Sequence, residues 1–299
     1  MAWIQIYINT SKNKVDEISE LLLEIGCLSI TYTNAGNTPI FELDPGDVEY
    51  WQDTEVIGLF DATVNTAAIT VFLQKQSVFS SGLYYRFEQV EDKDWAREWM
   101  DSFHPMQFGE RLWVCPSWCT IPDNYACRRV LLDPGLAFGT GTHETTALCL
   151  EWLDSMNLQG KTIVDFGCGS GILAIAALKL GAERAIGIDT DPKAILASRE
   201  NAERNGVADL VEWYLPNDAP GLKADVVVAN ILASPLKALK REICSYANAG
   251  GSIALSGILV EQAKSIENEY ADLLELETSQ QKGEWVRISG RLLPVKKAI

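Results

Sequence analysis

The densest chemical content lies in KTIVDFGCGSGILAIAALKLGA (161–182). A short apolar run, TIVDF, meets glycines at 167, 169 and 171, and ILAIAALKL, of helical composition, follows at once. Glycines there let the backbone turn sharply and approach a ligand closely. The start of the following helix turns unpaired N–H groups toward that ligand. A dinucleotide fingerprint needs glycine at the sixth position of G-x-G-x-x-G, and here that residue is Ile172. The tighter G-x-G-x-G suits an amino-acid moiety better than a pyrophosphate. Taken alone, the turn leaves a ligand-free β–α connection open as an alternative.

Three further segments bear on that choice. AIGID (185–189) reads as a second strand with Asp189 at its tip, where a carboxylate accepts hydrogen bonds from both hydroxyls of a ribose. Asp191 is the alternative cap for the helix that follows, which frees Asp189 for the ribose. ADVVVANILASPL (224–236) reads as a buried parallel strand that delivers Asn230 to the carboxyl end of a sheet, where ligands bind in open α/β folds. Asn230 offers a carbonyl acceptor and an amide donor. LLDPGLAFGTGTHETTALCLEWL (131–153) places Gly135, Gly139 and Gly141 in a flexible loop before a helix, with Thr142 as the expected N-cap. Phe138 is placed to cover an aromatic or methionyl group, and Thr145 and Thr146 offer hydroxyls. His143 opens HETTA, which lacks the second histidine of the zinc pattern H-E-x-x-H, so it reads as a first-turn surface residue.

These residues need a sheet to hold them together. From residue 106 onward, helical and apolar strand segments alternate, which implies parallel strands with crossover helices. LWVCPSW (112–118) and RRVLLD (128–133) read as a short β pair, GGSIALSGIL (250–259) as a fifth strand, and Lys282-Gly283 as the turn of a closing hairpin. The first ninety residues have a different pattern. Ile4, Ile6 and Ile8 alternate as in a strand, and Val15, Ile18, Leu21, Leu22 and Ile25 share a helical face. The order strand, helix, strand, strand, helix, strand predicts a ferredoxin-like α+β domain over 1–90. Residues 91–105 read as a helical linker, with Trp95, Trp99 and Phe103 on one face. The remainder, 106–299, is predicted to form a second domain, of α/β class, that holds these residues.

The formal net charge of −16 disfavours a direct nucleic-acid substrate and favours basic partners. Seven scattered cysteines make a poor disulfide framework. Cys115, Cys119 and Cys127 contain no CxxC pair, so free thiols are expected rather than a metal site. No apolar run is long enough to span a bilayer and the start lacks signal-peptide character, so a cytoplasmic protein without a membrane partner is expected.

VDFGCGSG, GIDTD and VVVANILA, in that order, resemble the class I methyltransferase fold, a seven-stranded Rossmann-like sheet. DPGLAFGTGTHETT and DWAREWMDSFHPMQFGERLWVCPSW are more specific. Together they resemble the PrmA family of ribosomal protein methyltransferases, which modifies protein eleven of the large subunit. The resemblance covers nearly the whole chain. It implies S-adenosylmethionine as cofactor, held by the loop with Phe138, Thr140 and Gly141, by Thr145 and Thr146, by Gly167, Gly169 and Gly171, and by Asp189 and Asn230. It implies the N-terminal domain as the substrate-recognition unit. The implied products are methylated lysine side chains and a methylated N-terminal amine, on the free basic protein or on the ribosome. Where enzymes acting on planar amides carry N-P-P-Y, this chain has N-I-L-A, which suits an aliphatic amine. Asn230 is then expected to orient the neutral amine as the catalytic residue. The competing readings are a small-molecule amine methyltransferase with the N-terminal domain as lid, a nicotinamide oxidoreductase, and a non-catalytic binding module.

Overall fold

The computed structural model describes residues 3–36, 50–80, 82, 84–90, 104–119, 128–133 and 143–294. The chain divides into two compact units, Met1–Ser102 and Phe103–Ile299. Of the segment read as a linker, only His104 and Pro105 are described, and Trp95, Trp99 and Phe103 lie outside the described residues.

In the first unit, β1 (Trp3–Ser11), α1 (Val15–Glu24), β2 (Ser29–Asn34), β3 (Asp53–Asp61), α2 (Thr66–Gln74) and β4 (Tyr85–Val90) follow one another. The four strands form one antiparallel sheet in the order β2-β3-β1-β4, the ferredoxin-like arrangement. Strand period and helix period meet in one core. Ile6 and Ile8 of β1 and Val56 and Phe60 of β3 pack with Val15, Ile18 and Leu22 of α1 and with Ile69 and Leu73 of α2. Asn65 caps α2 by accepting a hydrogen bond from the amide of Ala68.

The second unit opens with a small sheet of β5 (Met106–Phe108), β6 (Leu112–Cys115) and β7 (Arg128–Leu131). The expected pair is present as β6 and β7, which run parallel, with β5 added antiparallel. The connection 116–127 supplies the length that a parallel return requires.

The main sheet is assembled from β8 (Thr162–Phe166), β9 (Arg184–Ile188), β10 (Val211–Tyr214), β11 (Ala224–Asn230), β12 (Ala247–Leu259), β13 (Leu274–Leu276), β14 (Gln280–Lys282) and β15 (Trp285–Leu292). Its order is β10-β9-β8-β11-β12-β15-β13, and β14 adds an eighth short strand on β15. Strands β8 to β12 are mutually parallel, whereas β15 runs antiparallel to β12 and β13. The order reverses between β8 and β11, and such a switch point opens a crevice at the carboxyl ends of the strands.

Alternation along the strands feeds two cores. Val226 and Val228 of β11 join the cluster beneath α3 (Glu144–Ser155), α4 (Ile172–Lys179) and α5 (Pro192–Arg204). Val227 and Ala229 face the other way, into the cluster of α6 (Ala233–Ala238), α7 (Lys240–Ser245) and α8 (Val260–Tyr270). Fully apolar strands are what a sheet covered on both faces demands.

At the switch point β12 passes close behind the end of β11. Gly257 has φ +84°, and a Cβ there would overlap the backbone carbonyl of Ile231. Substituting Gly257→Ala is therefore expected to cost at least about 2 kcal/mol, from left-handed strain plus a backbone clash. Thermal unfolding of the variant checks this, and an unchanged melting point would show that the strand end adapts freely.

Candidate active site

Gly167, Gly169 and Gly171 all adopt positive φ, at +76°, +54° and +78°. Two of these glycines are required for a second reason. A Cβ at Gly167 would overlap the side chain of Ile231, and one at Gly171 would overlap Trp213 and Ser198. The turn is also fastened from outside. The amides of Gly167 and Cys168 both donate to the carbonyl of Ile188, at 2.8 and 3.0 Å. Ser198 Oγ donates to the carbonyl of Gly169 and Asn201 Nδ2 to that of Ser170, both at 2.9 Å. Burial pushes the Cys168 thiol up, so it is not a thiolate nucleophile.

Two carboxyl groups grip the turn. Asp189, at the tip of β9, accepts from the Gly169 amide through Oδ2 at 2.8 Å and from the Asp191 amide through Oδ1 at 2.9 Å. Asp191, in turn, caps α5 by accepting from Lys193 N, with Pro192 in the first turn. Asp165 works from below. Gly171 has no side chain with which to cap α4, and Asp165 Oδ2 accepts from Ala174 N, the third helical amide, at 3.1 Å. Asp165 is fully buried, and its Oδ1 has no hydrogen-bond partner among the described residues. Burial pushes its carboxyl up to about 8, opposed by the Ala174 amide and reinforced by the charge of Asp189.

Asn230 ends β11 beside the turn, half-buried, in register with Ser256 of β12. Its Nδ2 donates to Thr146 Oγ1 at 3.3 Å. Thr145 and Thr146 stand in the first turn of α3 and are both buried, so their hydroxyls are turned inward. Thr145 Oγ1 lies 2.8 Å from His143 Nδ1, and the Thr145 carbonyl accepts from Ser256 Oγ at 3.1 Å. The α3 cap differs from expectation. The cap position falls on His143, one residue beyond Thr142, because the histidine ring accepts from the Thr145 amide. His143 is half-buried with its ring edge-on to Trp285 at 5.0 Å, and is not a first-turn surface residue.

Phe138, Thr140 and Gly141 lie outside the described residues. The chain leading to them is pinned at Leu131 and Asp133. Asn205 both donates to the Leu131 carbonyl and accepts from its amide, each at 2.7 Å. Asp133 accepts from Ser117 and pairs with Arg204 at 3.3 Å.

The structure therefore brings Gly167, Gly169, Gly171, Asp189 and Asn230 to one edge of the sheet and sets Thr146 behind Asn230. Sequence reasoning missed Asp165, Ile231, Trp213 and Ser256. Asp165 had a readable signal, since a carboxyl inside an apolar strand covered on both faces needs an internal partner. The others depend on long-range packing.

A family model described as ribosomal protein L11 methyltransferase (PrmA) matches residues 2–292. A ribosomal protein L11 methyltransferase of Salmonella dublin is 57% identical over 292 residues, covering 97% of this chain and 99% of the relative. One of Salmonella newport is 58% identical over the same coverage. The crystal structure of a ribosomal protein L11 methylase from Lactobacillus delbrueckii subsp. bulgaricus is similar with a TM-score of 0.58 and 33% identity, covering 64% of this chain and 100% of that one.

The buried Asp165 carries a pH signature. Its folded value, about 8, lies above the ordinary 3.8, so between these values the native state holds a proton that the unfolded chain has released. Stability then falls as pH rises through that window, and is not reduced below it. Relative to Asp165→Asn, the unsubstituted protein is expected to lose stability between pH 5 and pH 8. Denaturant midpoints at each pH test this, and parallel curves for the two proteins would refute a protonated native Asp165.

Proposed function

The chain belongs to the ribosomal protein L11 methyltransferase family, and we propose that it transfers methyl groups from S-adenosylmethionine to amines of ribosomal protein L11. The observation that carries this reading is the convergence of the glycine turn, Asp189 and Asn230 at the switch point of the sheet. The residues present fit the cofactor. The glycine turn leads directly into the start of α4, whose first amides suit a ligand carboxylate, and Asp189 keeps one lone pair on each oxygen for ribose hydroxyls after receiving the Gly169 and Asp191 amides. Bound S-adenosylmethionine supplies a methyl group already activated by its positive sulfur.

What remains for the protein is placement. A lysine amine is protonated near neutral pH and has no lone pair to offer until the proton leaves. Burial of the amine at the crevice favours its neutral form. Because Asn230 Nδ2 is directed to Thr146, its Oδ1 is the atom that accepts from an N–H of the substrate amine and aims the lone pair. Thr146, fully buried, positions Asn230. An amide is a poor base, so Asn230 orients and does not take the proton.

The N-terminal unit serves as the recognition domain for the protein substrate, and the acidic total favours a basic one. No described helix is long and apolar enough to cross a membrane. A cytoplasmic setting accords with six cysteines that are free among the described residues.

The direct test is transfer of labelled methyl from S-adenosylmethionine to unmethylated large-subunit ribosomal proteins, resolved by mass. Label confined to L11, on amines, is the expected result. Cofactor binding with no label on any ribosomal protein would send the substrate question elsewhere. Two substitutions separate the roles. Asn230→Ala is expected to lower turnover about 100-fold with little change in cofactor affinity. Asp189→Ala is expected to weaken cofactor binding by about tenfold or more, through loss of charged hydrogen bonds. A collapse of cofactor affinity in Asn230→Ala would contradict the orienting role.

A further inference from the structure

At the opposite end of the sheet, where β8, β11 and β12 begin, a cavity of about 740 Å³ is lined by Trp152, Asn157, Asn248, Arg287, Ser289 and Arg291, among others. Arg287 is 7% exposed. A buried arginine normally has a carboxylate against it, because an unpaired charge is costly to remove from water. Among the described residues no carboxylate lies within ion-pair distance of Arg287. Its one hydrogen bond is from Nη1 to the carbonyl of Leu148 at 3.1 Å, and its Nε is buried without a partner. Its guanidinium carbon sits 5.8 Å from the centre of the Trp152 ring, which screens one side without neutralising it.

The nearby acids, of which Asp225 and Glu277 also line the cavity, act on Arg287 only from beyond ion-pair distance, and each has another partner. Glu277 accepts from Ser289 Oγ at 2.9 Å, Asp225 pairs with Lys161 at 3.7 Å, and Glu151 pairs with Lys282 at 2.7 Å. Arg287, Ser289 and Arg291 are alternate residues of β15, so they line one face of that strand. Arg291 at the rim is exposed and has no ion-pair partner among the described residues. Two guanidinium groups without an ion-pair partner among the described residues therefore border one cavity in a chain whose total charge is strongly negative.

We propose that this cavity is a second binding site, distinct from the methyl-transfer site, for a small oxyanion-bearing molecule, with Arg287 as its anchor and Arg291 at its mouth. The shared ligand chemistry is a carboxylate or phosphate group, which a guanidinium fork meets with two parallel hydrogen bonds. A purely structural Arg287, tying β15 to α3, accounts for the Leu148 bond but leaves the remaining terminal N–H groups of Arg287 and the unpaired Arg291 without a role.

Calorimetric titration of the full chain with inorganic phosphate and, separately, succinate tests the proposal and distinguishes the two sources. The expected result is saturable binding of at least one probe. Arg287→Met should weaken it about tenfold or more, and Arg291→Ala should weaken it measurably while leaving methyl transfer unchanged. If Arg287→Met does not fold, Arg291→Ala, on the surface, decides alone. Absence of saturable binding for both probes, or affinities unchanged in the folded variants, overturns the site.

Discussion

Gly171 begins a helix that it cannot cap, and the carboxyl of Asp165 caps it from the strand beneath. That substitution of one residue's side chain for another's is what permits glycine at the helix start. With a capping serine or aspartate at 171, a Cβ would stand in the space that Trp213 and Ser198 occupy. With glycine, the space stays tight and the amides stay available, but the helix start would lack an acceptor. Asp165 resolves the conflict at the cost of burying a carboxyl, and burial in turn keeps that carboxyl protonated through much of the neutral range. Asp189 completes the clamp from the side by holding Gly169.

The other half of the site is built by a helix that precedes the sheet in sequence. α3 sets buried Thr146 behind Asn230, and the Thr145 carbonyl takes the hydroxyl of Ser256 from the next strand. Asn230 is thus aimed by a residue 84 positions away, through a bond that neither β11 nor its turn supplies. Gly257 lets β12 come close enough to Ile231 for this arrangement. The glycine turn and Asn230 are therefore fixed by separate packing, one by carboxyl groups beneath and beside it, the other by threonine and serine hydroxyls.

Much of this was legible in the residues. The strand-to-helix turn, Asp189 at the tip of β9, Asn230 at the tip of β11 and the two-period pattern of the N-terminal unit each follow from local rules of spacing and composition. What was not legible is what distance creates. The inward turn of Thr145 and Thr146 cannot be read from hydroxyls in a first helical turn, which are as readily exposed. His143, which caps the helix by accepting from the Thr145 amide, also has its ring against Trp285, a residue far along the chain. The parallel pairing of β6 with β7 depends on the path of the connection between them, and composition says nothing of that path.

Charge poses the last constraint. A chain of formal charge −16 draws a basic protein toward it from a distance. The same field, close to the site, would hold a lysine amine in its protonated and unreactive form. Encounter and chemistry thus ask for opposite local conditions. Burial eases the conflict at Asp165, because pushing its carboxyl up limits the negative charge carried in the floor of the turn. Asp189, at the tip of β9, has its carboxylate occupied by the amides of Gly169 and Asp191. The acidic surface can then serve association, and the residue at the tip of β11, Asn230, is a neutral amide that brings no further negative charge to the carboxyl end of the sheet.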